Sequence, residues 1–271
     1  AMPLKEAHEK LLEFSHGQIP MFFCEIHTIK LMKLAEGYNG IFMKLHHLAM
    51  DAFSVKVFLR DIMELYLHKL KGAPYPKPMR PYIPALMGEL AYLKSEQYAA
   101  DKKYWEESLS KTSEPIFTDY MLESRLKQQR REHPTHRFAD IHSGSPAAKA
   151  KIFEMTQEET DALSSMCREN DLSLCAALSM GVRTALSVFN DDEEDVSFKM
   201  IVDRRGSLAE KKSGGIRINF FPMRSIITPD MTFFEAVRSI MNVQNEIYSH
   251  CSLSFAEMLA ERHKSMPKDA K

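Results

Sequence analysis

Two adjacent histidines followed by an aspartate form the group of side chains best suited to chemistry in this sequence. His46 and His47 end an apolar run that begins at Ile41, and Asp51 follows after three more residues. Imidazole transfers protons near neutral pH, and a carboxylate readily pairs with an arginine. The spacing therefore favours proton transfer or substrate positioning by one histidine, with Asp51 orienting the turn. The alternative interpretation is two buried core histidines beside a structural aspartate.

The elements on either side must position these histidines. The apolar residues of 41–47 predict a buried strand, and a helix is predicted over 54–70 with Ser54 as its cap. Because neighbouring side chains on a strand face opposite sides, one histidine is expected to face a cavity and the other the packed interior. The two imidazoles and Asp51 would then not converge on one metal ion. The spacing therefore argues against a metal site. We expect no bound cofactor either.

The composition limits the class of protein. The chain has 271 residues, 44% hydrophobic residues and a formal net charge of −1. This length supports one large or two small domains, and the near-zero charge argues against a nucleic-acid partner. Four cysteines without a Cys-x-x-Cys pair indicate reduced thiols and a cytoplasmic location, with Cys167 and Cys175 predicted as small core residues. No apolar run approaches the ~20 residues of a membrane span, and no signal peptide is recognisable.

The remaining hydrophobic pattern predicts a mixture of helices and strands. Helices are predicted over 4–14, 86–109 and 233–248. Another helix is predicted to begin at the capping box Thr156–Glu159, and the helix after it carries an apolar stripe. Strands are predicted over 20–31, 149–154, 196–202 and 216–224, and the first of these is expected to form a hairpin with the histidine strand. The stripe, which is predicted as core, consists of Leu174, Leu178, Val182, Ala185, Leu186 and Phe189.

Two further polar segments follow the strands in the second half of the chain. Arg204 and Arg205 come directly after the strand 196–202, and Asn219 and Arg224 lie in the strand 216–224. In this order, together with His-His-x-x-x-Asp, they resemble the motifs of the condensation domains of nonribosomal peptide synthetases. Those domains belong to the chloramphenicol-acetyltransferase-like superfamily, and the resemblance covers roughly residues 15–260.

The resemblance implies an α/β (α+β) fold, a two-lobe sandwich of the chloramphenicol-acetyltransferase type. Residues 1–145 would be the remainder of the N-terminal lobe, and residues 146–271 part of the C-terminal lobe. The fold is expected to be incomplete at both termini, so that the chain is an excised fragment or a shortened relative. Ala52 stands where the family usually has glycine, and alanine would be strained there if the position requires a positive φ.

The resemblance also assigns roles to the motif residues. His47 is expected to face the catalytic tunnel and to be the catalytic residue, whereas Asp51 is expected to be mainly structural. We predict that Asp51 pairs with Arg204 or Arg205, because a buried carboxylate without a cation is costly. The remaining motif residues are expected to support the site, namely His46, Asn219 and Arg224.

The implied function is amide formation between two substrates held as phosphopantetheine thioesters on donor and acceptor peptidyl carrier proteins. Neighbouring synthetase domains are further expected partners. Neither a nucleic acid nor a membrane is expected to be a partner. Two alternatives stay open: a stand-alone acyltransferase that uses acyl-CoA, and a non-catalytic module that docks carrier proteins. A basic stretch over 125–137 either contacts an acidic carrier surface or is a solvated linker.

Overall fold

The structure, a computed structural model, describes residues 2–16, 19, 25–77, 80–110, 151–190 and 192–265. Helices and strands alternate in these ranges, which is the predicted mixed class. The helices are α1 Leu4–His16, α2 Ala52–Lys71, α3 Ile83–Tyr92, α4 Glu96–Ser110, α5 Gln157–Glu169, α6 Leu174–Val188, α7 Phe233–Ser249 and α8 Phe255–Ser265. The strands are β1 His27–Lys33, β2 Asn39–Leu45, β3 Asp195–Asp203 and β4 Ile218–Ile226.

The chain divides into two compact units that are not continuous in sequence. The first unit contains Ala1–Ala91 with Arg205–Ile218, and the second contains Tyr92–Arg204 with Asn219–Lys271. The predicted lobe boundary near residue 145 lies outside the described residues. The division into lobes 1–145 and 146–271 therefore stays a prediction.

The first unit contains the predicted hairpin. β1 and β2 pair antiparallel, with Ile29 opposite Met43 and Leu31 opposite Ile41. A short 3₁₀ turn joins them and ends at Gly37, which has φ 79; this left-handed backbone is easily adopted by glycine. The strand prediction was wrong at one point: β2 ends at Leu45, so both histidines lie beyond the strand.

Helix α2 begins earlier than predicted, at Ala52. Its N-cap is Asp51, whose side chain accepts a hydrogen bond from the Ser54 backbone N–H, so the prediction of Ser54 as cap was wrong. Ala52 is an ordinary first helical residue. Among the described residues, the non-glycine positions with positive φ are Asp171 and Asp192. Alanine therefore fits position 52 without backbone strain.

The long helix predicted over 86–109 is in fact two helices, α3 and α4. Ser95 lies in the break between them. Its hydroxyl donates to the Tyr92 carbonyl at 2.7 Å and accepts from the Tyr98 backbone N–H at 3.2 Å. The serine hydroxyl thus binds a backbone carbonyl at the end of α3 and a backbone N–H at the start of α4. In this way it ends one helix and caps the next.

The second unit has its core around the paired strands β3 and β4. Phe221, Ile240 and Ile247 are almost fully buried there. Trp105 of α4 stacks on Phe221 at 5.2 Å between ring centroids. The predicted capping box of α5 is confirmed, because the Thr156 side chain and the Glu159 carboxylate bond reciprocally to the backbone.

Three predictions for the second unit were wrong in whole or in part. Residues 151–154, the described part of the strand predicted over 149–154, are not in a strand. The apolar stripe of α6 is core only at Leu186, which is buried, whereas Leu174, Leu178 and Val182 are 40%, 50% and 51% exposed. Instead, α6 buries another face, and Cys175 is exposed whereas Cys167 is buried as predicted. The basic stretch 125–137 lies outside the described residues.

No single described helix is both long and apolar enough to cross a membrane. Helices α5 and α6 reach the necessary length and hydropathy only together, and they are bent by 110° at their break.

Candidate functional site

The histidines lie in a tight turn between β2 and α2. His46 continues the hairpin, because its backbone N–H donates to the Ile26 carbonyl at 2.8 Å. Its carbonyl accepts from the Ala49 N–H at 2.9 Å, and its ring Nδ1 accepts from the Leu48 N–H at 3.1 Å. The ring nitrogen that accepts this bond carries no proton, so a neutral His46 ring is protonated on Nε2. His46 thus ties the turn together.

His47, the next residue in the turn, has a different environment. Its side chain is exposed, and its ring makes no hydrogen bond to any described residue. The expectation that the two histidines face opposite sides of a strand does not apply, since both lie in the turn. The turn nevertheless separates them, because His46 is used by the local backbone and His47 is open to a ligand.

Asp51 ends the turn and is completely buried. Its Oδ1 accepts from the Ser54 N–H at 2.8 Å and from Arg205 Nη2 at 3.1 Å. Its Oδ2 accepts from Arg205 Nη1 at 2.9 Å and from the Arg217 backbone N–H at 2.8 Å. The predicted pairing of Asp51 with an arginine is confirmed, and the partner is Arg205.

These contacts determine the charge of Asp51. Burial alone raises the pKa of a carboxyl group, but the hydrogen bonds from Arg205, Arg217 and Ser54 outweigh it. The net effect lowers the pKa of Asp51 to about 2. The carboxylate therefore stays ionised and has donors on both oxygens, which suits it to holding structure and not to accepting a proton from a substrate.

Gly215 completes the set of groups that bind the Arg205 side chain. Its carbonyl accepts from Arg205 Nη2 at 3.0 Å and from the Ser54 hydroxyl, which in turn accepts from Arg205 Nη2 at 2.8 Å. Gly215 has φ +90, and a Cβ at this position would lie 2.2 Å from the Tyr82 ring. Only glycine fits here, both for backbone conformation and for space. The Phe53 ring lies 4.9 Å from the guanidinium carbon of Arg205.

The other predicted site residues have partners within the second unit. Arg204 donates to the Ser252 carbonyl at 3.3 Å, so it is not the arginine that pairs with Asp51. The Asn219 side-chain amide donates to the Leu253 carbonyl at 2.6 Å. Both residues therefore hold the turn that follows α7.

Arg224 binds the start of β3. Its Nε and Nη2 donate to the two carboxylate oxygens of Asp195 at 2.7 and 2.5 Å. The sequence pattern placed Arg224 in a strand but did not identify this partner.

Three groups around the Asp51–Arg205 pair were not predicted from the sequence: the Ser54 hydroxyl and the Gly215 carbonyl, which bind Arg205, and the Arg217 backbone N–H, which binds Asp51. The pair Gly214-Gly215 is a signal that a tight backbone approach is required at this point. A backbone N–H has no sequence signal, so the contribution of Arg217 becomes visible only in the structure.

Comparisons with known proteins bear on the identity of this site. The family model described as condensation domain matches residues 7–269. One of the plipastatin synthase proteins of Bacillus subtilis (strain 168) is 24% identical over 236 residues, which cover 85% of this chain and 8% of that protein. One of the linear gramicidin synthase proteins of Brevibacillus parabrevis is 25% identical over 235 residues, covering 85% of this chain and 4% of that protein.

Solved structures with the same fold include two condensation proteins. VibH, a condensation enzyme of nonribosomal peptide synthesis, has a TM-score of 0.75 at 15% identity, covering 97% of this chain and 57% of its own. The first condensation domain of the CDA synthetase has a TM-score of 0.73 at 19% identity, covering 96% and 54%. The chain therefore spans somewhat more than half the length of these structures, and only a small part of the two synthase proteins.

Proposed function

Because the chain belongs to the condensation-domain family, we propose that it is part of a nonribosomal peptide synthetase domain that forms amide bonds. Condensation domains are amide-forming acyltransferases. The proposed substrates are a donor acyl or peptidyl thioester and an acceptor aminoacyl thioester. Each is carried on the phosphopantetheine of a peptidyl carrier protein, and neighbouring synthetase domains would supply these carriers. A cytoplasmic location and the absence of a nucleic-acid partner are part of the same proposal.

The observation that carries the proposal is the contrast between Asp51 and His47. Asp51 is buried, ionised and bound by four N–H groups, and His47 lies four residues earlier on an exposed turn. This arrangement supports a rigid anchor that presents one imidazole to a ligand. The buried anchor also argues against a motif without function, since desolvating a carboxylate and an arginine is costly.

In the proposed reaction, the acceptor amine attacks the thioester carbonyl of the donor. A carbon–nitrogen bond forms, the carbonyl oxygen becomes an oxyanion, and the nitrogen becomes positively charged. It must lose one of its own protons, and the leaving thiolate takes up one proton. The carbon–sulfur bond then breaks, so that an amide and the free donor thiol are released. The His47 imidazole either accepts the proton from the amine or donates a hydrogen bond to the oxyanion.

The remaining site residues act in this proposal by holding the structure around the site. His46 holds the turn by its Nδ1, and Arg205 holds Asp51. Arg204 and Asn219 hold the turn after α7, and Arg224 binds Asp195. None of them is proposed to touch the reacting atoms.

The test is amide formation by the full-length protein with loaded donor and acceptor carriers. His47→Ala is expected to lower the rate by about 10²–10⁴-fold, the usual contribution of a positioned acid–base group. His46→Ala is the matched control: it removes the turn's Nδ1 acceptor, so it is expected to lower stability and to leave more activity than His47→Ala. Equal activity of His47→Ala and the wild type, with both folded, would contradict the proposal.

A second arm separates the alternative functions. Donors loaded on carrier proteins and donors presented as acyl-CoA are compared under the same conditions. Reaction only with acyl-CoA would indicate a stand-alone acyltransferase. Carrier binding without product from either donor would indicate a docking module.

A further inference from the structure

The segment 205–217 contacts Asp51 at both of its ends. At its beginning, the Arg205 side chain binds both carboxylate oxygens of Asp51. At its end, the Arg217 backbone N–H donates to Oδ2 at 2.8 Å. The shape of this loop therefore decides whether both donors reach Asp51 together.

Glu210 lies in the middle of the loop and binds residues on either side. Its Oε2 accepts from the backbone N–H and the hydroxyl of Ser207 at 2.9 and 3.0 Å. Its Oε1 forms an ion pair with Arg217 Nη2 at 2.5 Å. Through one carboxylate, the first half of the loop is joined to the residue whose N–H binds Asp51.

The environment of this ion pair makes it more than a surface contact. The Arg217 side chain is 8% exposed and that of Glu210 is 32% exposed. A guanidinium that is nearly buried requires charged or polar partners. Burial raises the pKa of Glu210, but the Ser207 hydrogen bonds and the charge of Arg217 outweigh it and lower that pKa overall. Glu210 is therefore ionised where it meets Arg217.

We propose that Glu210 is a positioning residue, which through Arg217 fixes the loop 205–217 against Asp51 and so fixes the turn that presents His47. This inference rests on the proposed function for its effect on catalysis. The sequence predicts one of the two contacts of Glu210, that with Ser207, because Ser207-x-x-Glu210 is the pattern of a capping box. The second partner of the carboxylate, Arg217, is supplied by the tertiary structure.

The variant that tests this proposal is Glu210→Gln, which keeps the shape of the side chain and removes its charge. The control is Glu235→Gln. Glu235 makes the same reciprocal contacts with Thr232 at the start of α7, and no arginine binds it among the described residues. The difference between the two variants isolates the ion pair with Arg217 from the loss of a capping box.

Two measurements are made on the full-length protein. The first is the hydrogen exchange of backbone amides in 213–220, where Glu210→Gln is expected to speed the exchange of the Arg217 N–H about tenfold. The second is steady-state amide formation, where kcat is expected to fall about tenfold with little change in KM. Arg217→Lys, which keeps the charge without the forked geometry, is expected to give a smaller change of the same kind.

Coupling between the two residues provides an independent check. If they act as one unit, the double variant Glu210→Gln with Arg217→Gln should exchange no faster than the worse single variant. Strictly additive effects would overturn the proposal. So would exchange rates in Glu210→Gln that match those of Glu235→Gln.

The outcomes distinguish this proposal from the proposed function. A wild-type protein that makes no amide would overturn the function, while the exchange measurements would still decide whether Glu210 fixes the loop. A fall in kcat without faster exchange would mean that Glu210 acts on the substrate directly, and would overturn its role in positioning.

Discussion

Two arginine–aspartate pairs in this protein have similar geometry and very different surroundings. In the first unit, Arg205 and Asp51 are joined by bonds of 2.9 and 3.1 Å, and both side chains are fully buried. In the second unit, Arg224 and Asp195 are joined by bonds of 2.7 and 2.5 Å, with side chains 34% and 28% exposed. The shorter pair is the more exposed one, so distance alone does not rank their importance.

The difference lies in what replaces water. Asp195 and Arg224 retain contact with solvent, and an ion pair in such a position contributes little to stability. Asp51 has no solvent contact and depends on Arg205, on the Ser54 N–H and on the Arg217 N–H. Together these donors outweigh the desolvation of the carboxylate and keep it ionised. The buried pair is therefore a sensitive point of the fold, and the exposed pair is a local contact.

The largest effect is expected from Asp51→Ala. This variant leaves Arg205 buried without its carboxylate and removes the N-cap of α2, and breaking a buried pair typically costs about 3–5 kcal/mol. The free energy of unfolding, measured by urea denaturation followed by circular dichroism, should fall by this amount. A loss below about 1 kcal/mol, the value for an exposed pair, would show that burial does not determine how much this pair contributes to the free energy of unfolding.

A smaller effect is expected from pH. The pKa of Asp51 is about 2 in the folded protein and about 3.9 in an unfolded chain. Its contribution, about 2.6 kcal/mol, is therefore complete above pH 5 and is lost as the pH falls through 4 towards 2. Between pH 6 and pH 3, about 1 kcal/mol of stability should be lost through this group.

The measurement is urea denaturation at both pH values for the wild type and for Asp51→Asn. Subtraction of the variant removes the contribution of the other carboxylates. If the wild type and the variant lose the same stability between pH 6 and pH 3, then Asp51 is not held ionised by its partners.

The comparison also shows what the sequence could predict. The cost of a buried carboxylate predicted a cationic partner for Asp51, and the resemblance of the segment after β3 to the family's arginine motif pointed to Arg204 or Arg205. Arg205 is the partner found. The position of the helix start did not follow. Asp51 and Ser54 are both good N-cap residues, and local sequence cannot decide between them. Asp51 serves as cap and as the partner of Arg205 at once, which is a tertiary effect.

The buried face of α6 was mispredicted for a similar reason. Apolar residues lie on several sides of this helix, so periodicity does not identify the buried side. Arg183 is nearly buried, and its Nη2 donates to the carbonyls of Glu193 at 3.2 Å and Ile227 at 3.4 Å. A buried arginine that binds backbone carbonyls fixes the orientation of the helix. A hydrophobic pattern assigns arginine to the exposed face, so it could not predict that the face with Arg183 is buried.

The smallest effect is expected from Asp195→Asn, which completes the comparison. The amide keeps the shape of the side chain and one acceptor oxygen for Arg224, and both residues remain in contact with solvent. Exposed pairs contribute about 0.2–1 kcal/mol, and salt screens them. The loss in unfolding free energy should therefore stay within this range and shrink when the salt concentration is raised to about 1 M. Asp51→Ala should keep most of its effect in the same salt, since a buried pair is screened much less. An equal salt response of the two variants would mean that the surroundings of the two pairs do not differ in solution as they do in the structure.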